Sequence, residues 1–313
     1  MENQALGLAE ALQRLSPSEI SVRRVKWRKA FDKLPSALKA TWMLDPTSDD
    51  PFPKADETWP DVWIATGRAT LPLSLTAKRR SGGKTLVVQT QDPRWRTGDY
   101  DLVVAPRHDG IEGPNVLSIT GSPHRISATR LAEGATSFAD RLEPLPRPRV
   151  AVLIGGKSRA HDLPEAHAVE LAERIAAAIK TAGGSLMLTF SRRTPEAAKA
   201  AMTARLSGLP GLIWDGEGPN PYFAFLHMAD HILVTEDSAN MAAEAASTGV
   251  PVHILPMVAT KPADKFARLH ADLRERGAAR PLEGTLDSWT YEPLVETDRA
   301  AREILNRLAV RNG

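Results

Sequence analysis

The chain has 313 residues, no cysteine, 42% hydrophobic and 25% charged residues, and 40 Lys and Arg against 38 Asp and Glu, a net charge of +2. Such a composition belongs to a globular protein and excludes a disulfide framework, thiol catalysis and cysteine-ligated zinc or iron–sulfur centres. The small net charge excludes a strong polyanion field, so no nucleic-acid partner is expected. The longest apolar runs, such as 150–154 and 232–234, are far shorter than the ~20 residues of a membrane-spanning helix. The first residues lack the charged-then-apolar pattern of a signal peptide, so the expected localisation is cytoplasmic.

Short β-rich runs alternate with helical stretches throughout. In chain order the first half predicts a helix at 2–14, a strand at 19–25, and a strand at 61–66 with a helix at 69–80. Strands at 84–90, 101–105 and 115–120 and a helix at 125–139 follow. Continuously apolar strands such as Val62-Trp63-Ile64-Ala65 suit a parallel sheet covered on both faces. This half opens directly on a helix, whereas a doubly wound domain ordinarily opens on a strand.

Pro144, Pro146 and Pro148 then predict a stiff linker. The second half predicts strands at 149–154, 185–190, 211–214, 231–235 and 252–255. Its helices are expected at 164–182, 194–206, 221–229, 238–248 and 262–277, with a last amphipathic helix at about 294–310. The expected fold class is α/β, two Rossmann-like domains with parallel sheets facing a cleft. The domains are 1–143 and 149–293, with a C-terminal helix at 294–313 packing back on the first.

Ligands of open α/β sheets bind at the carboxyl ends of strands. The strand at 149–154 runs into Gly155, Gly156, Lys157 and Ser158, where glycines admit a phosphate close to the backbone and a lysine neutralises it. The bland alternative is a tight turn with a solvated lysine. The next strand ends in Ser191, Arg192 and Arg193, with Thr194 as a helix N-cap and Pro195 at the first helical position. Two arginines beside a helix start form an anion site or, on the plain reading, stay exposed. After 231–235, Asp237, Ser238 and Asn240 crowd another helix start, where hydroxyls and backbone N–H groups suit a diphosphate. Glu244, seven residues after Asp237, can accept two ribose hydroxyls or can simply be a surface carboxylate.

In the first half Asp92, His108, Asp109 and His124 lie at or just after strand ends, as do Gly67, Arg68, Gln89, Gly121 and Arg125. His and Asp are the side chains that most often serve as a general base, and those four are the catalytic candidates. Each is otherwise a loop-capping residue. No metal-ligand spacing occurs, so no metal is expected, and no Gly-x-Ser-x-Gly elbow is present. Arg23, Arg24, Lys26, Arg28, Lys29 and Lys33 surround Trp27, Phe31, Leu34 and Leu38 at helical spacing. That pattern reads as an ordinary helix or as a basic amphipathic one touching an anionic membrane from its inner, cytoplasmic face.

The run Thr235-Glu236-Asp237-Ser238, Glu244 and Gly249-Val250-Pro251 resembles the donor site of two-domain, GT-B type glycosyltransferases. There the helix glutamate binds the ribose of a nucleotide-sugar and the helix start holds its diphosphate. Most of the chain also resembles the bacterial branch of the "elongated mitochondria" mitochondrial-fission family. Gln89-Thr90-Gln91-Asp92-Pro93, Pro106-Arg107-His108-Asp109, Ser191-Arg192-Arg193-Thr194-Pro195, Asn220-Pro221-Tyr222-Phe223-Ala224 and Lys265-Phe266-Ala267-Arg268-Leu269-His270 carry the likeness. The resemblance implies a strand and a Gly-rich turn ahead of the first helix, where Met1 stands here.

The function expected is that of a glycosyltransferase-like protein. Its second domain would take a nucleotide-diphosphate-sugar as donor substrate, without a firmly implied cofactor, and its first would hold an unknown envelope or lipid-linked acceptor. The alternatives are a non-catalytic binding or scaffold protein of the same shape, acting at a membrane or with protein partners, and an epimerase or phosphorylase.

Overall fold

The computed structural model describes residues 2–262 and 264–312, and the chain divides into two units. The first runs to Arg125 and resumes at Val295; the second is Ile126–Leu294. In the first unit, helix α1 (Glu2–Leu15) buries Gln4, Gly7, Leu8, Ala11 and Leu12, the spacing of one helical face. His124 packs its backbone on Gly7, where a Cβ would collide with its carbonyl. A short helix α2 (Lys29–Asp32) follows, then strand β1 (Val62–Thr66), helix α3 (Leu71–Arg80), and strands β2 (Leu86–Thr90), β3 (Leu102–Pro106) and β4 (Val116–Ile119). The four strands form one parallel sheet in the order β1-β2-β3-β4. β2 and β3 are buried along their whole length, as their apolar runs predict.

The expected strand at 19–25 does not form. Five of its seven residues are exposed, with Ile20 and Val25 only partly buried, so it has no continuous face to bury. The backbone of Arg24 pairs instead with Asp49, and the N–H of Lys26 donates to the Ser48 hydroxyl at 2.9 Å. The helical spacing of Trp27, Phe31, Leu34 and Leu38 likewise yields only the single turn of α2, because Pro35 prevents its continuation.

The second unit opens with α4 (Ala128–Leu142), then β5 (Arg149–Ile154), β6 (His161–Asp162), α5 (Glu165–Ala182), β7 (Ser185–Phe190), α6 (Glu196–Leu206) and β8 (Gly211–Ile213). There follow α7 (Tyr222–Met228), β9 (His231–Thr235), α8 (Ala239–Ala246), β10 (Val252–Leu255), β11 (Val258–Ala259), α9 (Asp264–Glu275) and β12 (Ala279–Pro281). Six strands form a parallel sheet in the order β12-β10-β9-β5-β7-β8, and β6 and β11 make a small antiparallel pair. The chain winds one way from β5 through β7 to β8 and the other way through β9 to β10 and β12. β5 and β9 therefore flank the point where strand order reverses. The last helix, α10 (Glu296–Asn312), belongs to the first unit, where Ala300, Ala301 and Ile304 share a core with Leu8, Ala11 and Leu12 of α1.

The boundary between units lies at Arg125 and Ile126, not at 143. Helix α4 carries Leu131 and Leu142 into the core of the second unit beside Phe225 and Leu226 of α7. Gly134 lets α7 approach closely, since a Cβ there would meet the Cβ of Phe223 at 2.8 Å. The proline segment lies inside this unit: Ser185 donates from its hydroxyl to the Pro146 carbonyl at 2.6 Å. Leu142 is fully buried, so Leu142→Ala is expected to cost ~2–5 kcal/mol. Hydrogen exchange should show faster exchange in α7 and β5 and unchanged protection in β2 and β3. Loss concentrated in β2 and β3 would return α4 to the first unit.

Candidate functional site

The carboxyl ends of β5, β7 and β9 converge on Asp237. Its side chain is 0% exposed and takes the N–H of Gly156 at 3.0 Å, the hydroxyl of Thr235 at 2.7 Å and the Arg193 guanidinium at 2.8 Å. Thr235 in turn accepts the N–H of Gly155 at 2.7 Å. From the β7 side, the Thr194 hydroxyl donates to the Gly155 carbonyl at 2.5 Å, and the N–H of Lys157 donates to the Arg193 carbonyl at 3.0 Å. The glycines are required by this knot. A Cβ on Gly155 would collide with the Asp237 carboxylate, and one on Gly156 with the backbone of Arg193 and Thr194. At both glycines the side-chain direction is filled by protein, and the N–H groups are taken by Thr235 and Asp237.

Several predicted ligand residues thus have internal partners. The Ser158 hydroxyl accepts the N–H groups of Ala160 at 3.2 Å and His161 at 3.0 Å. Ser191 accepts the N–H of Arg193 at 3.2 Å, and Arg193 pairs with Asp237. Thr194 does not cap α6; Pro195 stands at the N-cap and Glu196 begins the helix, because the threonine hydroxyl is turned toward Gly155 and Ile154. Lys157 is exposed, 3.7 Å from Asp162, and Arg192 is exposed.

Helix α8 starts directly after this knot, at the end of β9. Ser238 is its N-cap and accepts the Met241 N–H at 3.4 Å. The N–H groups of Ala239 and Asn240 precede the first intrahelical bond and carry the positive end of the helix dipole. Exposed Asn240 and half-buried Glu244 stand four residues apart, on one face of α8. The Glu244 carboxyl receives a short hydrogen bond from the Tyr222 hydroxyl of α7. Burial pushes Glu244 up to about 7, against the pull of that hydrogen bond, and burial holds Tyr222 well above its ordinary value, so that it remains a donor. Tyr222, to which the sequence assigns no role, joins the candidate site through this hydrogen bond. Its signal was only its place in the run Asn220-Pro221-Tyr222, and its partner is 22 residues away.

Glu236 is held from two sides beside the knot. Its carboxylate accepts the Met257 N–H at 2.6 Å, and its carbonyl lies 2.9 Å from Nε2 of buried His270. Burial lowers the His270 pKa, which keeps the ring neutral with its Nε2 proton on that carbonyl.

In the first unit the four catalytic candidates follow strand ends but differ in environment. His108 and Asp109 are half-buried in a single 3₁₀ turn after β3. Asp92 accepts the N–H of Arg94 at 2.8 Å, capping its own turn. His124 is buried and its ring is pushed down to about 4 by desolvation, while its backbone N–H donates to the Thr297 hydroxyl at 3.1 Å. Arg125 makes a two-pronged pair with Glu10 of α1 at 2.5–3.1 Å. Gln4 of α1, buried at 4% exposure, reaches the ends of β1 and β2 and accepts from Gln91 at 2.8 Å and Thr66 at 3.3 Å. Among the described residues no group of three or more His, Asp or Glu could hold a metal ion, and no helix is long and apolar enough to cross a membrane.

Residues 1–308 match the family model described as mitochondrial fission ELM1, and the chain belongs to that family. It is 32% identical over 279 residues to the mitochondrial fission protein ELM1 of Arabidopsis thaliana, covering 80% of this chain and 65% of that one. It is 25% identical over 289 residues to an uncharacterised protein of Rickettsia prowazekii, covering 80% of each. Among solved structures it matches the UDP-GlcNAc 2-epimerase of Neisseria meningitidis bound to UDP-GlcNAc, at 15% identity and a TM-score of 0.44 over 80% of this chain and 76% of that one. It also matches MurG of Acinetobacter baumannii, at 19% identity and a TM-score of 0.40 over 80% and 69%.

The raised Glu244 pKa gives stability a direction with pH. The protonated form is favoured in the fold, so its contribution is complete below the ordinary value of 4.5 and is lost as pH rises through about 7. Glu244→Gln keeps a neutral acceptor for Tyr222. Its melting temperature should match the wild type near pH 4.5 and exceed it increasingly toward pH 8, as read by calorimetry. A gap that does not change with pH would show that Glu244 titrates normally.

Proposed function

We propose that the second unit binds a nucleoside diphosphate-sugar at the carboxyl ends of β5 and β9 and that the chain is a glycosyltransferase-like protein. The observation that carries this reading is the position of α8. Its N-terminus stands at the point where strand order reverses, and its first turns bring Ser238, Asn240 and Glu244 to that end of the sheet. Such reversal points are where open parallel sheets take ligands, and a helix start supplies N–H groups and partial positive charge to a diphosphate. Lys157 and Arg192, exposed on the neighbouring loops, would add the remaining positive charge. Glu244 would accept the ribose hydroxyls, as the resemblance of its run to a glycosyltransferase donor site implies. The first unit would hold the acceptor, with His108 and Asp109 as the proton-accepting groups. No metal is required for the charge balance.

One observation favours the second reading, a binding protein that performs no transfer. Of the four candidate bases, His124 is buried and Asp92 is occupied by its own turn. On that reading nucleotide-sugar binds without turnover.

Calorimetric titration of the full chain with UDP and with UDP-N-acetylglucosamine tests the proposal. Binding should weaken at least tenfold in Glu244→Ala and severalfold in Arg192→Ala, since a lost hydrogen bond to a charged group costs about 1.5–3 kcal/mol. Equal affinity in wild type and Glu244→Ala, or no heat with a panel of nucleotide-sugars, would sink it. Product analysis with bound donor then separates transfer from simple binding.

A further inference from the structure

The chain leaves the core of the first unit after Trp27 and returns to it at Leu44. These two residues form an isolated antiparallel bridge and are 3% and 9% exposed, packed with Phe52, Leu73 and Ala77. The Trp27 indole N–H donates to the Ala69 carbonyl at 2.9 Å, and backbone bonds from Arg28 to Met43 and from Asp45 to Lys26 close the base. Between these posts, no residue of 28–43 is fully buried, and Met43, next to the second post, packs partly against the same core. A loop with tied ends and no fully buried side chain is an Ω-type excursion, and its exposed side chains are available to an outside partner.

What it presents is specific. Leu38 and Trp42 are each 62% exposed, and Phe31 sets its ring edge-on to Trp42 at 5.2 Å. From 23 to 39 the chain carries seven Lys and Arg against one Asp. Arg24 pairs with Glu2, Arg28 donates to the Leu44 carbonyl, and Lys39 donates to the Asp32 carbonyl above the Trp27 ring. Arg23, Lys29 and Lys33 are exposed and make no ion pair among the described residues.

An exposed tryptophan and an exposed leucine on one loop, in a stretch that also carries exposed cations without an ion pair among the described residues, are the chemistry of a bilayer interface. There the indole sits at headgroup depth and each cation meets lipid phosphate. We propose that the 28–43 loop seats on an anionic lipid bilayer. Trp42 and Leu38 enter the headgroup layer, and Arg23, Lys29 and Lys33 contact its phosphates. The anchor differs from the one that the sequence suggests: Trp27 is the buried post, and the membrane-facing tryptophan is Trp42.

Cosedimentation of the full chain with vesicles of phosphatidylcholine alone, and of phosphatidylcholine mixed with phosphatidylglycerol, tests this. Binding should require the anionic lipid and weaken at high salt. It should fall about fivefold in each of Lys29→Gln and Lys33→Gln, and about tenfold or more in the double variant Leu38→Ser, Trp42→Ser. Brominated lipid should quench wild-type fluorescence and lose that component in Trp42→Phe. These side chains are exposed, so unchanged melting temperatures verify folding, and the lysine variants decide the matter should the apolar double variant melt early. No binding to anionic vesicles, equal binding to neutral ones, or binding untouched by the lysine variants overturns the proposal in favour of a protein or self-association surface.

Discussion

The Asp237 carboxylate is the constraint on which the second unit's functional end depends. One buried anion takes donors from the loops after β5 and β7 and from the end of β9. Removing water from a carboxylate is costly unless charge and hydrogen bonds replace it. Here Gly156 N–H, Thr235 and Arg193 do so, and the exposed flank of Arg193 leaves its guanidinium partly hydrated. The arrangement dictates sequence around it. Positions 155 and 156 must be glycine for steric reasons, Thr235 must both accept and donate, and Thr194 must face Gly155 instead of its own helix. The start of α8 follows from this, since Ser238 is the next residue after the tied carboxylate.

The alternation of strand and helix was legible because parallel strands covered on both faces are continuously apolar. The runs at 149–154, 185–190, 231–235 and 252–255 coincide with β5, β7, β9 and β10. Three kinds of feature were not legible. Ownership of α4 depends on which partner its apolar face meets, and Gly134 against Phe223 is a contact 89 positions apart that no local pattern announces. The segment 19–25 has strand propensity but no neighbouring ladder; Asp49 pairs with the backbone of Arg24, and Ser48 with that of Lys26 just beyond it. At the site, residue type identified the polar cluster but not its division of labour. Gly155, Gly156, Ser158, Ser191, Arg193 and Asp237 build the scaffold, while Lys157, Arg192 and Asn240 remain on the surface.

Glu244 sits where scaffold and proposed ligand meet, and its protonation links them. With Tyr222 as a donor and burial raising its pKa to about 7, the carboxyl is held between its charged and neutral forms near neutral pH. Ribose hydroxyls donating to it would favour the charged form, so ligand binding and proton release would be coupled by the same free energy. Tyr222 need not leave, because a carboxylate has room for several donors. The Tyr222 hydrogen bond orients the carboxyl before any ligand arrives, and the cost of ordering that side chain is met during folding and not at the moment of binding. A surface glutamate at the same helical position would offer the same charge but neither the fixed orientation nor the proton linkage. For that reason α7, which carries no predicted ligand residue, belongs to the proposed site through Tyr222.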